Sequence, residues 1–134
     1  MNKKDLPTRQ VHLDFHTSER VEGVGKYFEA EDFKANLKKA GLDSITVFAK
    51  CHHGCFYYED TKFFKHPHLC GSLLDKQVQA CKEAGVSAKI YISADDYYKL
   101  YINGEFAGNW NCCNINTYFA YVDGDFHIPA KLTK

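Results

Sequence analysis

LKKAGLDSITVFAK (Leu37 to Lys50) and ACKEAGVSAKIYIS (Ala80 to Ser93) spell one unit twice. Each carries the end of a helical pattern, then Ala-Gly, then a short link into a run of β-formers. Gly41 and Gly85 fall where a helix closes on a left-handed residue, a conformation glycine adopts without a side-chain clash. A recurring helix–glycine–strand order predicts βα units and a parallel sheet.

Working outward, the spacing predicts helices over about residues 30–40 and 72–84. Phe33, Leu37 and Ala40 share a face of the first, and Glu29, Glu31 and Asp32 put negative charge at its start. Leu74, Val78 and Cys81 give the second its buried stripe, and Ser72 with Asp75 resembles a capping box. The first strand is expected over about residues 10–15. Alternation there puts His12, Asp14 and His16 on one face and Val11, Leu13 and Phe15 on the other. In a barrel the second set packs under helices and the first lines the interior. In the next strand, over about 44–50, Ile45, Val47 and Ala49 suit the helix side. Thr46, Phe48, Lys50 and His52 then face inward.

From about Ala94 the texture changes. DDYYKLYINGEFAG (Asp95 to Gly108) holds Asn103-Gly104 between two β-prone runs, the strongest short hairpin signal. TYFAYV, from Thr117, is a further β run, and no helical pattern follows Ala84. The fold class expected is α/β. Residues 1–93 form a partial parallel sheet of βα units, like a truncated TIM barrel. Residues 94–134 form an antiparallel β-rich tail, with residues 88–93 as the joining strand.

The 134 residues suit one domain. Seventeen bases balance seventeen acids, so no basic stripe points to nucleic acid or to an anionic membrane. The first ten residues are polar, with no secretory pattern, and no run is apolar enough to span a bilayer. Six cysteines in that setting read as free cytosolic thiols, the adjacent Cys112 and Cys113 included, and the chain is expected to be cytoplasmic. Tyr and Phe cluster from Cys55 to Phe64 and from Tyr91 to Phe126. Such rings suit stacking on sugars and equally suit a β core.

HLDFHTS, from His12, and VFAKCHHG, from Val47, each end a β run in histidine just as turn chemistry begins. In α/β folds the carboxyl ends of parallel strands form the ligand face, so substrate binding is the reading for these side chains. Glycoside hydrolysis usually needs two carboxyl groups about 5 to 10 Å apart. Asp14 is the one acid on an inward strand face, where an Asp ordinarily orients a neighbouring His or Lys. Asp95 and Asp96 lie in an expected turn and suit capping it. No catalytic pair is assigned. Cys51, His52, His53 and Cys55, then His66, His68 and Cys70, are zinc-like in chemistry but not in spacing. No metal ligand and no cofactor are assigned. Cys51 beside His52 would suit a thiolate pair, but neighbours on a strand point to opposite sides.

RQVHLDFHTS (from Arg9), TVFAKCHHGCFYY (from Thr46) and LLDKQVQACKEAG (from Leu73) resemble the opening of a hypothetical glycosyl hydrolase family. That family is a (β/α)8 barrel related to α-L-fucosidases and β-galactosidases, and the resemblance covers about the first ninety residues. It implies that His16, His52 and His53 bind sugar hydroxyls, that Lys50 supports them, and that His12 and Asp14 belong to the same substrate-binding set. AKIYISADDYYKLYINGEFAG, from Ala88, resembles a hairpin of the accessory β-sandwich of bacterial α-L-rhamnosidases, and YFAYVDGDFHIP, from Tyr118, suits its next strand. A barrel needs eight βα units and a jelly roll about eight strands, more than this chain supplies. The resemblance therefore implies a truncated glycoside-hydrolase-like protein of carbohydrate metabolism, without the catalytic carboxylates that later barrel strands contribute. A non-catalytic carbohydrate-binding module and a small zinc-binding protein are the alternatives. An open sheet edge also favours self-association.

Overall fold

The computed structural model describes residues 7–94, 97–102, 105–111 and 116–122. Elements follow in the order β1 (Gln10–His12), α1 (Ala30–Lys39), β2 (Ser44–Lys50), α2 (Leu73–Ala84), β3 (Ser87–Ala94), β4 (Tyr97–Ile102), β5 (Glu105–Asn111) and β6 (Asn116–Val122). β1, β2 and β3 run parallel, with α1 and α2 in the two connections. The fold is thus a small α/β unit with a three-stranded parallel sheet and two helices. β6 pairs antiparallel with the free side of β3, giving the order β1-β2-β3-β6. β4 and β5 pair antiparallel with each other. Asn103 and Gly104, where a turn is expected, and Asp95, Asp96, Cys112, Cys113 and the segment after Val122 lie outside the described residues.

The repeated Ala-Gly has one structural meaning in both places. Gly41 (φ +62°) and Gly85 (φ +70°) are left-handed. The N–H of each glycine bonds back to the carbonyl of Lys38 or Lys82, and the next residue's N–H bonds to Leu37 or Cys81. This double bond pattern closes a helix while satisfying its last carbonyls, and it brings an apolar pair together. The pairs are Leu37 with Leu42 and Cys81 with Val86, all members of or packed against the core under the helices. The chain then enters β2 or β3 at once.

Ile45, Val47 and Ala49 from β2, and Ala88, Ile90 and Ile92 from β3, meet Leu37, Leu74, Val78 and Cys81 from the helices. Burying one such aliphatic side chain contributes about 1.5–3 kcal/mol. The opposite face of the same strands carries a second cluster with Phe48, Cys51, Cys55, Tyr57 and Tyr91. That face is the one a barrel would enclose.

Three expectations are corrected. β1 ends at His12 rather than at Phe15, because its ladder with β2 spans only Gln10 to His12. Val11 and Leu13 do not pack under helices; they are exposed, and Phe15 packs instead on the opposite cluster, edge-on to Tyr57 at 5.1 Å. α2 packs on β2 and β3 and α1 packs on α2, which leaves the apolar set of β1 without helix cover. Ser72 precedes α2, but its hydroxyl donates to the Asp75 carboxylate and accepts from the Glu59 N–H rather than from an N–H of the helix's first turn, so no capping box closes.

Candidate functional site

β2 does not end flat. Its register against β3 slips between Phe48 and Lys50, so that Phe48 faces Tyr91 while Lys50 faces Ile92. The slip is a bulge, which breaks strict alternation. The chain then doubles back: Tyr57 N–H donates to the Ala49 carbonyl and Cys51 N–H to the Cys55 carbonyl. At the tip, Gly54 N–H donates to the Cys51 carbonyl, and Gly54 holds φ +88°. His52 and His53 are the two middle residues of that turn. Because they occupy a turn and not a strand, adjacent histidines emerge on one side.

His16 arrives from the segment beyond β1. The Tyr57 side chain ties that segment to the turn, supplemented by the Cys51 thiol, 3.7 Å from the Thr17 carbonyl. The Tyr57 hydroxyl accepts from the Thr17 N–H at 3.2 Å, lies 2.7 Å from the Thr17 hydroxyl and donates to the Cys51 sulfur at 3.0 Å. It is fully buried. Burial, then the bond to Cys51, push its phenol well above the usual tyrosine range, so it remains a donor. A second tie comes from buried His66, whose Nε2 meets the Ser18 carbonyl at 2.8 Å and whose Nδ1 accepts from His68 N–H at 3.2 Å.

The result is a histidine cluster over an aromatic floor. Phe48 and Tyr91 stack at 4.1 Å. His16 meets their rings edge-on at 5.0 and 5.5 Å, and His12 at 5.4 and 6.0 Å. His16 and His52 lie 4.2 Å apart by ring centroid, and His52 and His53 4.1 Å. Asp14 Oδ1 sits 3.0 Å from His16 Nε2. The other ring nitrogen of His16, Nδ1, is buried without a hydrogen-bond partner among the described residues. Burial lowers the His16 pKa below the usual histidine range; the Asp14 charge opposes that, and the neighbouring histidines reinforce it.

The structure therefore brings His12, Asp14, His16, His52 and His53 together. Lys50 holds its ammonium over the Phe56 ring, 6.0 Å from the centroid. The bulge explains this, since it removes the alternation on which the inward reading rested. The zinc-like set does not assemble. His66 uses both ring nitrogens in hydrogen bonds, and Cys51 and Cys55 are buried in the apolar cluster. Among the described residues, the ligand-type atoms that gather within 4.8 Å of one another are those of His16, His52 and His53. Sequence reasoning missed the organising role of Tyr57, which reads as one aromatic among many. Cys51, Cys55, Cys70 and Cys81 are free thiols. Among the described residues no helix is long and apolar enough to cross a membrane.

An α-L-fucosidase isoenzyme 2 from Paenibacillus thiaminolyticus has a similar solved structure. It is 48% identical over 63% of this chain, with a TM-score of 0.60, and the chain spans 13% of that protein's length. No curated protein matches. The pattern of one family, Hypothetical glycosyl hydrolase 6, matches residues 29–119. That stretch holds α1, both later parallel strands and the His52-His53 turn, and it is more than half of the sequence: the chain belongs to the Hypothetical glycosyl hydrolase 6 family.

Proposed function

We propose that this chain is a sugar-recognition portion of a glycoside hydrolase, one that holds a fucose- or galactose-like ring but does not hydrolyse alone. The observation that carries the reading is the convergence of His16 with His52 and His53 beyond the carboxyl ends of adjacent parallel strands. Imidazoles both donate and accept, as sugar hydroxyls do. The Phe48–Tyr91 floor and His12 add apolar and edge contacts to such a ring, and Asp14 orients His16. Lys50 is a further donor at the rim, reached when its flexible stem leaves the Phe56 face. The β4–β5 hairpin belongs to the same reading, as an element like the accessory β-sandwich of rhamnosidases. The fucosidase likeness supports the sugar class.

Hydrolysis needs a pair of flanking carboxyl groups. Asp14 is the carboxylate that reaches the histidines, and it is already engaged with His16. In this reading the chain binds and leaves bond cleavage to carboxylates it does not present here.

Titration of L-fucose and D-galactose, followed by the imidazole resonances of His16, His52 and His53, tests this. Saturable shifts at about millimolar affinity, lost in His52→Gln, are expected. Absence of saturable shifts would overturn the sugar site, and turnover of aryl glycosides abolished by Asp14→Asn would overturn the non-catalytic reading.

A further inference from the structure

The histidine cluster has a feature that sugar binding does not require. His16 shows the Asp14 carboxylate to one nitrogen and leaves the other, Nδ1, buried and without a hydrogen-bond partner among the described residues. A carboxylate acceptor fixes the proton on Nε2 and leaves the lone pair on Nδ1. This carboxylate–histidine arrangement is how proteins orient an imidazole toward a metal and raise its basicity. His52 and His53, adjacent in the turn, complete a group of three imidazoles whose ligand-type nitrogens lie within 4.8 Å of one another.

We propose that His16, His52 and His53 form a binding site for a divalent transition-metal ion of the zinc class. Zinc takes imidazole nitrogen at about 2.0–2.1 Å, which in a tetrahedron sets the nitrogens roughly 3.3 Å apart. His16 is held by Asp14, Phe48 and Tyr91, whereas His52 and His53 are exposed on the turn. Exposure leaves those two rings free to rotate from the observed spacing toward the tetrahedral one. Three protein ligands leave one position for water or an oxygen ligand, the pattern of an open zinc site. Neutral nitrogen ligands suit zinc and its neighbours in the first transition row better than calcium or magnesium, which favour oxygen. Cys51 lies 3.8 Å from His53 Nδ1, but its buried sulfur receives the Tyr57 hydroxyl and is not one of the atoms that gather within 4.8 Å of one another. This inference uses nitrogen positions alone and does not depend on the sugar reading.

The test titrates zinc ion into chelator-stripped, reduced full chain, in competition with a chromophoric chelator, and repeats it with cobalt(II) for its visible spectrum. One zinc per chain is expected, with tetrahedral or five-coordinate cobalt bands and no thiolate charge-transfer band. His52→Gln lies on the exposed turn and leaves the fold intact; it should weaken zinc at least about a hundredfold. Asp14→Asn acts through His16 and should weaken it about ten- to a hundredfold. Absence of stoichiometric zinc, or wild-type affinity in His52→Gln, or a thiolate band pointing to cysteine ligands, would overturn the site. Sugar titration of the metal-free chain is scored separately. Zinc without sugar binding sinks only the sugar reading, and sugar without zinc sinks only this one.

Discussion

Replacing Tyr57 by Phe removes one oxygen and should loosen the whole candidate site. The ring stays: its contacts with Phe15 at 5.1 Å and His66 at 6.0 Å do not involve the hydroxyl. What goes is the hydroxyl bridge between Thr17, beside His16, and Cys51, beside His52, leaving the long direct contact of the Cys51 thiol with the Thr17 carbonyl at 3.7 Å. A neutral hydrogen bond contributes a net of about 0.5–1.5 kcal/mol, and a buried partner left unsatisfied costs about 1–3 kcal/mol. Thr17 is half-buried, so water re-solvates part of what Tyr57 leaves behind. The cysteine sulfur is a weak acceptor, so its loss adds little. The expected loss is then about 1–2 kcal/mol, well below the roughly 3–5 kcal/mol of deleting a buried aromatic ring. Urea unfolding of both proteins measures it, and an unchanged m-value shows that only stability moved. Imidazole spectra should show His16 and His52 shifted and broadened while His66 stays in place. A loss under about 0.5 kcal/mol with unmoved His16 and His52 resonances would refute the reasoning, because it would mean that the strand-one segment is held elsewhere.

Two further outcomes follow from the same geometry. Gly54→Ala meets open space but must hold φ +88°, so it should cost about 1–2 kcal/mol from backbone conformation alone and weaken any ligand of the His52-His53 turn; full stability in urea would show that the turn does not need a left-handed residue. Burial pushes the Cys81 thiol from an ordinary 9.0 up to about 12, so between those values the unfolded chain releases a proton that the folded one keeps. Stability should fall with rising pH across that window, by at most about 1.4 kcal/mol per pH unit for this group. Tyr58 and Cys55 shift the same way through burial. Unfolding midpoints of reduced protein across the window should fall less steeply in Cys81→Ala, and parallel curves would show that Cys81 is not the source.

The elements that sequence reveals best here are those whose pattern and chain closure agree. α1, β2, α2 and β3 lie within a residue or two of their expected places, because amphipathic spacing and a left-handed glycine mark the same boundary twice. β1 was less legible. Alternation from Val11 to His16 continues past the point where pairing stops, and nothing local says that Thr17 leaves the sheet to meet Tyr57. The place of Lys50 over the Phe56 ring was hidden for a related reason: a bulge is a property of two strands in register, and one strand's sequence does not show it.

The candidate site repeats that lesson at a finer scale. His16, His52 and His53 were visible as residues at strand ends, and the structure does gather them. Their relation was not visible. Grouping by proximity along the chain collected His52 and His53 with Cys51, Cys55, His66, His68 and Cys70; the hairpin keeps the Cys51 sulfur 3.8 Å from His53 Nδ1 but commits it to the Tyr57 hydroxyl, and the set does not close on one point. His66 turns inward to hold Ser18 and His68, Cys51 and Cys55 enter the apolar cluster, and Cys70 is exposed. The third imidazole comes instead from thirty-odd residues upstream, because β1 and β2 are parallel neighbours and their ends meet. Parallel pairing, more than any motif, makes this cluster. It follows that the ligand chemistry depends on the ties at Tyr57 and His66 as much as on the histidines. A substitution there, with every histidine present, should separate His16 from the turn.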